Sequence, residues 1–304
     1  MIEELLREIT SHGHRGAVVP VTYVADLQRE MENVKNADSH PDWWIDWMTR
    51  CIAGYMPVGF EFEPRSLVTV VTPSPKTLLE FDYKKKPYTV ISPPSRSDWE
   101  ILTYLRAFLS TCGYSVAVYD KLPQKLMAVC CGLGRYGRNN ICYSEEFGSY
   151  MWVATFVSDL PCEQAPWFPA RRMESCESCG ACVAACPTGV INPARQVIEA
   201  ERCLTNLNEQ EGEFPDWLDK TAHNCLIGCM RCQDCCPANV FNADNVVQGP
   251  SFTEDETVEL LAHVPDQPYS DALAAKIAAA GLSEYAQRLP RNLAALFHSL
   301  VSTL

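Results

Sequence analysis

Residues 176–187 read Cys176-Glu177-Ser178-Cys179-Gly180-Ala181-Cys182-Val183-Ala184-Ala185-Cys186-Pro187. This C-x2-C-x2-C-x3-C-P run has the spacing of a bacterial four-iron ferredoxin motif. Three thiolates two residues apart wrap one loop around three corners of a cube, and backbone amides turn toward the sulfides. The longer gap and the proline displace the fourth cysteine, so that it points away toward a second cluster. A zinc site needs only paired C-x2-C units and leaves the C-x3-C-P tail without a role.

Working outward, a shorter copy appears at Cys229-Met230-Arg231-Cys232-Gln233-Asp234-Cys235-Cys236-Pro237. Asn239 stands where a strict copy built through Cys235 would need its last cysteine. The missing thiolate must come from Cys203, Cys225 or Cys235. Serving two clusters from the neighbours Cys235 and Cys236 is awkward, which favours Cys203. The expected ligand sets are Cys176, Cys179, Cys182 and Cys236 for one [4Fe-4S] cluster, and Cys186, Cys229, Cys232 and Cys203 for the other.

The composition agrees. Of 16 cysteines, ten fall between Cys176 and Cys236, a bunching that a disulfide framework would not produce in a chain of 304 residues. Cys51, Cys112, Cys130, Cys131, Cys142 and Cys162 read as small buried apolar residues. With 47% hydrophobic and 21% charged residues the chain is globular and long enough for two modest domains. A formal charge of −13 argues against tight binding to nucleic acid or an anionic membrane. The opening MIEELLREIT is an acidic amphipathic helix with no basic leader, and no apolar run has the length of a span. The expectation is a cytoplasmic protein with no membrane partner.

The segment before the cysteines alternates helix and strand periodicities. Ile2, Leu5, Leu6 and Ile9 make one helical stripe, Val24, Leu27, Met31 and Val34 another, and Trp43, Trp44, Trp47 and Met48 a third. Leu67–Thr72, Tyr88–Ile91, Ser115–Tyr119 and Met151–Val157 read as short strands, with a helix through Trp99, Leu102, Leu105 and Leu109 before Ser115. The Lys84–Lys86 run reads as a solvated loop. The Pro-rich stretch 161–169 marks a boundary, and helix formers return after Ser251 through 271–280 and 293–304. The expected organisation is an α/β (α+β) domain over 1–165, a two-cluster ferredoxin-like domain over 166–250 and C-terminal helices over 251–304.

Gly132-Leu133-Gly134-Arg135-Tyr136-Gly137 matches G-x-G-x-x-G, but a dinucleotide site needs a strand before it and an amphipathic helix after it. Residues 138–148 carry no helical stripe, so a tight loop is the better reading. This loop, with Lys125-Leu126-Met127-Ala128-Val129 before it, Arg138-Asn139-Asn140 and Phe147-Gly148-Ser149 after it and the two cysteine motifs beyond, resembles the cobalamin-dependent iron–sulfur reductases. These are the epoxyqueuosine reductases and the respiratory reductive dehalogenases. The likeness spans roughly residues 64–240. The glycine-loop wording is closer to the dehalogenases, and the cysteine spacing, with a lone Cys203, to the epoxyqueuosine reductases.

The resemblance implies a mixed-sheet, nitroreductase-like cobalamin domain followed by the ferredoxin-like domain, with cobalamin held base-off between them. It places Gly132, Leu133, Gly134, Tyr136, Gly137, Asn139, Tyr143 and Ser144 along the corrin, with Cys225 and Gly228 facing it from the cluster side. A histidine-ligating D-x-H-x-x-G signature is absent, since Asp38-Ser39-His40 continues as Pro41-Asp42-Trp43. Asp120-Lys121-Leu122-Pro123 preserves the D-x-x-P of the segment that carries the proton-donating aspartate in the epoxyqueuosine reductases, at a shorter gap to the glycines, which makes Asp120 the candidate donor; the dehalogenases use a tyrosine instead. Shut in an apolar pocket, the Asp120 carboxyl would stay protonated near neutral pH. An external low-potential donor of ferredoxin or flavodoxin type would supply electrons.

The tRNA-acting members carry a longer helical tail and need a basic face, and the dehalogenases carry a twin-arginine leader; neither is evident here. The expected function is therefore reductive cleavage of an epoxide, halide or similar bond in a small molecule. The alternatives are a tRNA epoxyqueuosine reductase and an electron-transfer protein that reduces another corrinoid protein.

Overall fold

The computed structural model describes residues 1–37, 40–92, 98–195, 197–242 and 245–302. Asp38, Ser39 and the last two positions of the 293–304 stripe lie outside them. The strands are β1 Arg15–Pro20, β2 Ser66–Pro73, β3 Lys76–Tyr83, β4 Lys86–Ser92, β5 Val116–Val118, β6 Arg135–Tyr136, β7 Cys142–Tyr143, β8 Met151–Ser158 and β9 Val246–Phe252. The helices are α1 Ile2–Ser11, α2 Val24–Ala37, α3 Asp42–Ala53, α4 Asp98–Thr111, α5 Gln124–Cys130, α6 Ala181–Ala185, α7 Leu204–Glu209, α8 Arg231–Asp234, α9 Glu254–Leu261, α10 Asp271–Ala279 and α11 Leu289–Ser302. The mixed α/β character expected from the sequence is present.

One compact unit comprises Met1–Pro73, Ser97–Cys179 and Pro193–Val197. Its sheet has the order β1-β2-β8-β5, and every pair in it is antiparallel. Strand β2 is buried from Ser66 to Thr72 because helices cover both faces of the sheet. Val68 and Val70 point with Phe156 into a core closed by Leu5 and Ile9 of α1 and by Ile101, Leu105 and Leu109 of α4. Leu67 and Val157 point the other way, among Leu27, Met48, Ile52, Leu126 and Met127 of α2, α3 and α5.

The second compact unit comprises Ser74–Arg96, Gly180–Asn192 and Ile198–Leu304. It holds the parallel pairing of the molecule's described strands: β9 lies parallel to β3, which pairs antiparallel with β4. The Lys84–Lys86 run proves to be the β3–β4 turn, with Lys84 and Lys85 both at positive φ (51° and 61°), as a tight hairpin with native twist requires. Leu79, Phe81 and Phe252 pack on Leu293, Leu296 and Phe297 of α11. Leu226 and Ile227, just ahead of the second cysteine motif, insert into the same core, and Leu226 N–H donates to the Ile91 carbonyl at 2.8 Å. These units differ from the boundaries expected at 165 and 250 because the β3–β4 hairpin finds its partner strand, β9, about 170 residues downstream, Lys76 pairing with Val246. Among the described residues no helix is long and apolar enough to cross a membrane.

Candidate iron–sulfur and corrin-facing site

The two cysteine motifs fold alike. Cys182 lies in the short helix α6 and Cys232 in α8, and the two helices pack together. Each helix is followed by an extended cysteine ahead of proline: Cys186 has φ −69°, ψ 115°, and Cys236 has φ −78°, ψ 123°. A residue before proline is pushed out of the helical region, so C-x3-C-P turns its last thiol off the helix axis. Cys203 is extended too (ψ 132°) and caps α7.

Burial, first of all, pushes the Cys229 thiol above its ordinary value; hydrogen bonds from the Asn224 side chain and the Arg231 backbone oppose this, and the neighbouring Cys203 and Cys186 add to the rise. Cys186, Cys203 and Cys229 are thus electrostatic neighbours within the second unit. Cys225 behaves otherwise: it is 1% exposed, its thiol is pushed up mainly by burial, and its Sγ donates to Asn224 Oδ1 at 3.2 Å. Cys235 Sγ points at the Cys232 carbonyl, 3.7 Å away. Among the described residues no three His, Cys, Asp or Glu side chains converge as a single metal ion would require; a four-iron cube spreads its ligands over its corners.

Loop positions around Cys229 are held by side chains from α7 and α11. Asn208 Nδ2 donates to the Gly228 carbonyl at 2.8 Å, and Asn292 Nδ2 donates to the carbonyls of Asn208 (2.8 Å) and Leu226 (3.0 Å). A Cβ built on Gly228 would meet no atom within 4 Å, so its backbone borders open space.

In the first unit the glycine loop follows a helix. Gly132, at φ +79°, stops α5: its N–H donates to the Val129 carbonyl and Leu133 N–H to that of Ala128, a Schellman closure. This settles the fingerprint as a helix stop followed by the β6–β7 ribbon, in which Arg135 pairs with Tyr143 and Tyr136 with Cys142. A Cβ at Gly137 would stand 2.5 Å from Asn139 Oδ1 and 2.6 Å from Tyr143 Cε2. Both neighbours are buried and bonded to each other, Asn139 Nδ2 to Tyr143 Oη at 2.7 Å. Ser144 is buried, with its Oγ accepting from Phe147 N–H at 2.8 Å. Asn139, Tyr143 and Ser144 therefore brace the loop from within, while Leu133 and Tyr136 remain half-buried. Gly137→Ala should cost about 1–3 kcal/mol of stability, as overpacking does, read as a lower urea midpoint; an unchanged midpoint would mean the loop yields freely.

Arg138 ties this loop to the first cysteine motif. Its guanidinium donates to the Cys176 carbonyl from Nε (3.2 Å) and from Nη2 (2.5 Å), fastening the glycine loop to the first cluster motif. Tyr136 is flanked on the same side, its N–H donating to the Arg171 carbonyl and its carbonyl accepting from Met173 N–H. Burial, then nearby Cys142, pushes the Tyr136 phenol well above its ordinary value. Of the six cysteines outside the motifs, Cys130, Cys131, Cys142 and Cys162 are buried as expected, whereas Cys51 and Cys112 are partly exposed.

Asp120 follows β5. The flanking chain is pinned: Tyr119 Oη donates to the carbonyls of Gly54 (3.1 Å) and Tyr55 (3.0 Å), and Gln124 Nε2 donates to the Tyr119 carbonyl at 3.2 Å. Pro123 occupies the cap of α5, so Asp120 is not its capping residue. The carboxyl is exposed, which corrects the expectation of an apolar enclosure: two residues past the last paired position of β5, the chain has left the packed face of the sheet.

Residues 175–239 match the family model of the 4Fe-4S double cluster binding domain. The chain is similar to the epoxyqueuosine reductase of Bacillus subtilis (strain 168), 35% identical over 120 residues, 39% of this chain and 30% of that protein. It is also similar to that of Listeria monocytogenes, 28% identical over 191 residues, 58% of this chain and 49% of the other. The chain thus matches about a third to a half of the length of these relatives. A structure of the Bacillus subtilis enzyme, with its catalytic aspartate loop swung out of the active site, superposes with a TM-score of 0.65 at 20% identity over 98% of this chain and 81% of that one. An epoxyqueuosine reductase bound to an epoxyqueuosine-modified tRNA-Tyr stem loop gives 0.62 at 20% identity over 98% and 80%. These likenesses show the fold.

Proposed function

We propose that this chain is a cobalamin- and [4Fe-4S]-dependent reductase acting on epoxyqueuosine in tRNA. The observation that carries this reading is the similarity to epoxyqueuosine reductases at 35% identity, together with the double-cluster segment at 175–239. It reverses the preference for a small-molecule substrate drawn from the charge of −13. A total charge does not forbid a local basic patch, and patches, not totals, hold phosphates.

The eight expected thiolates fit two clusters by donor chemistry, and Cys203 and Cys186 both act electrostatically on Cys229. For the corrin, the first unit offers Leu133 and Tyr136 on a loop braced by Gly132, Gly134, Gly137, Asn139, Tyr143 and Ser144. When bound, cobalamin would supply the low-potential nucleophilic chemistry that opens the epoxide. The protein's part is to pass electrons from an external donor, hold the loop through Arg138 and deliver a proton, for which Asp120 is the proposed source. The acidic total charge favours, as a second reading, a small epoxide or halide as substrate.

Anaerobic reconstitution with cobalamin should give about eight iron and eight sulfide per chain, and epoxyqueuosine-containing tRNA should be reduced, with binding that weakens steeply as salt rises. Turnover of small epoxides with no effect of tRNA would establish the second reading, and stoichiometric zinc would remove both.

A further inference from the structure

We propose that the Asn224 side-chain amide is a positioning donor to Cys229 that raises the reduction potential of the cluster held by Cys186, Cys203, Cys229 and Cys232. The inference rests on the proposed ligand role of Cys229. Asn224 Nδ2 lies 3.3 Å from Cys229 Sγ and 3.1 Å from the Ala222 carbonyl. Its Oδ1 accepts from Met230 N–H at 3.0 Å and from Cys225 Sγ at 3.2 Å.

These partners fix which end of the amide faces the sulfur. The Ala222 carbonyl can only accept and Met230 N–H can only donate, so the nitrogen must face Ala222 and the oxygen Met230. The second hydrogen of Nδ2 is then left for Cys229 Sγ. A flipped amide would set two acceptors against each other and two donors against each other. The buried Cys225 has a role in this arrangement without being a ligand: as a thiol it donates to Oδ1 and helps lock the amide.

An N–H···S bond to a ligand thiolate stabilises negative charge. The reduced cluster carries one more negative charge than the oxidised one, so the bond strengthens on reduction and the potential rises. The loop is built to keep this contact, since Leu226, two residues on, is seated in the hydrophobic core and bonded to Ile91, and Gly228, next to Cys229, is held by Asn208.

The test is an EPR-monitored redox titration of the anaerobically reconstituted full chain, beside Asn224→Leu and Asn224→Asp. The leucine variant removes the donor at similar volume; the aspartate variant keeps the shape, loses the N–H and adds charge, and serves if leucine impairs iron loading. With eight irons retained, the one-electron reduction equilibrium of a single cluster should fall roughly tenfold, about 59 mV, in the leucine variant, and further in the aspartate variant, with the other cluster unmoved. Two unmoved clusters, or equal shifts in both, would overturn the role of Asn224 while leaving the ligand assignment standing. A parent protein with fewer than two clusters would instead remove the ligand assignment, and this proposal with it.

Discussion

Cys203→Ser should leave about four of eight irons after anaerobic reconstitution and cut electron delivery to background, whereas Cys225→Ser and Cys235→Ser should keep the full complement. The physical ground is the state of each sulfur. Cys203 has an extended backbone at the start of α7 and acts electrostatically on Cys229. Cys225 is held as a thiol, because burial opposes its ionisation and its hydrogen is engaged by Asn224 Oδ1. Cys235 is turned toward a backbone carbonyl. A ligand sulfur needs access to iron, which Cys225, buried, and Cys235, turned to the Cys232 carbonyl, do not offer, whereas Cys203 is partly exposed. Iron and acid-labile sulfide decide the matter: equal content in Cys203→Ser and its parent would move the ligand role to one of the other two.

The cysteine motifs were legible because cluster geometry is written in short spacings. The same holds for the amphipathic stripes that became α1–α4 and for strands β2, β4, β5 and β8. What escaped was set by distant partners. Strand β3, Lys-Thr-Leu-Leu-Glu-Phe-Asp-Tyr, carries three charges on its outward face and lacks the Val-rich signature of a buried strand. Strand β9 contains Gly249-Pro250, which reads as a break, and the structure accommodates these residues as a register shift between Leu78 and Glu80. Only the pairing of β3 with β9 reveals why a hairpin from the N-terminal half belongs with the C-terminal helices.

The site shows the same division. The glycines read as a tight loop; the Schellman closure at Gly132 ends the helix before them, and the β6–β7 ribbon, not a helix, follows. In the sequence Arg138 has no task of its own beyond its place in the motif, and Asn224 carries no signal beyond its place before Cys225. Their bonds, to the Cys176 carbonyl and to Cys229 Sγ, cross 38 and five residues of chain respectively, and neither separation belongs to a local motif.

Asp120→Asn should retain both clusters and bound cobalamin while slowing turnover by roughly a hundredfold or more, the usual loss when a general acid is removed. Reductive opening of an epoxide leaves negative charge on oxygen or carbon, and an acid within hydrogen-bond reach must neutralise it. Asp120 suits this by position: the chain on either side is pinned by Tyr119 and Gln124, yet the carboxyl is exposed and caps no helix. A fixed base with a free tip is what a residue needs if it is to meet a substrate that arrives after folding. The decisive readout is the pair of measurements together. A hundredfold loss with unchanged iron and cobalamin places Asp120 at the proton transfer. Unchanged turnover passes that role to Tyr136 or another tyrosine, since a phenol carries its proton at neutral pH.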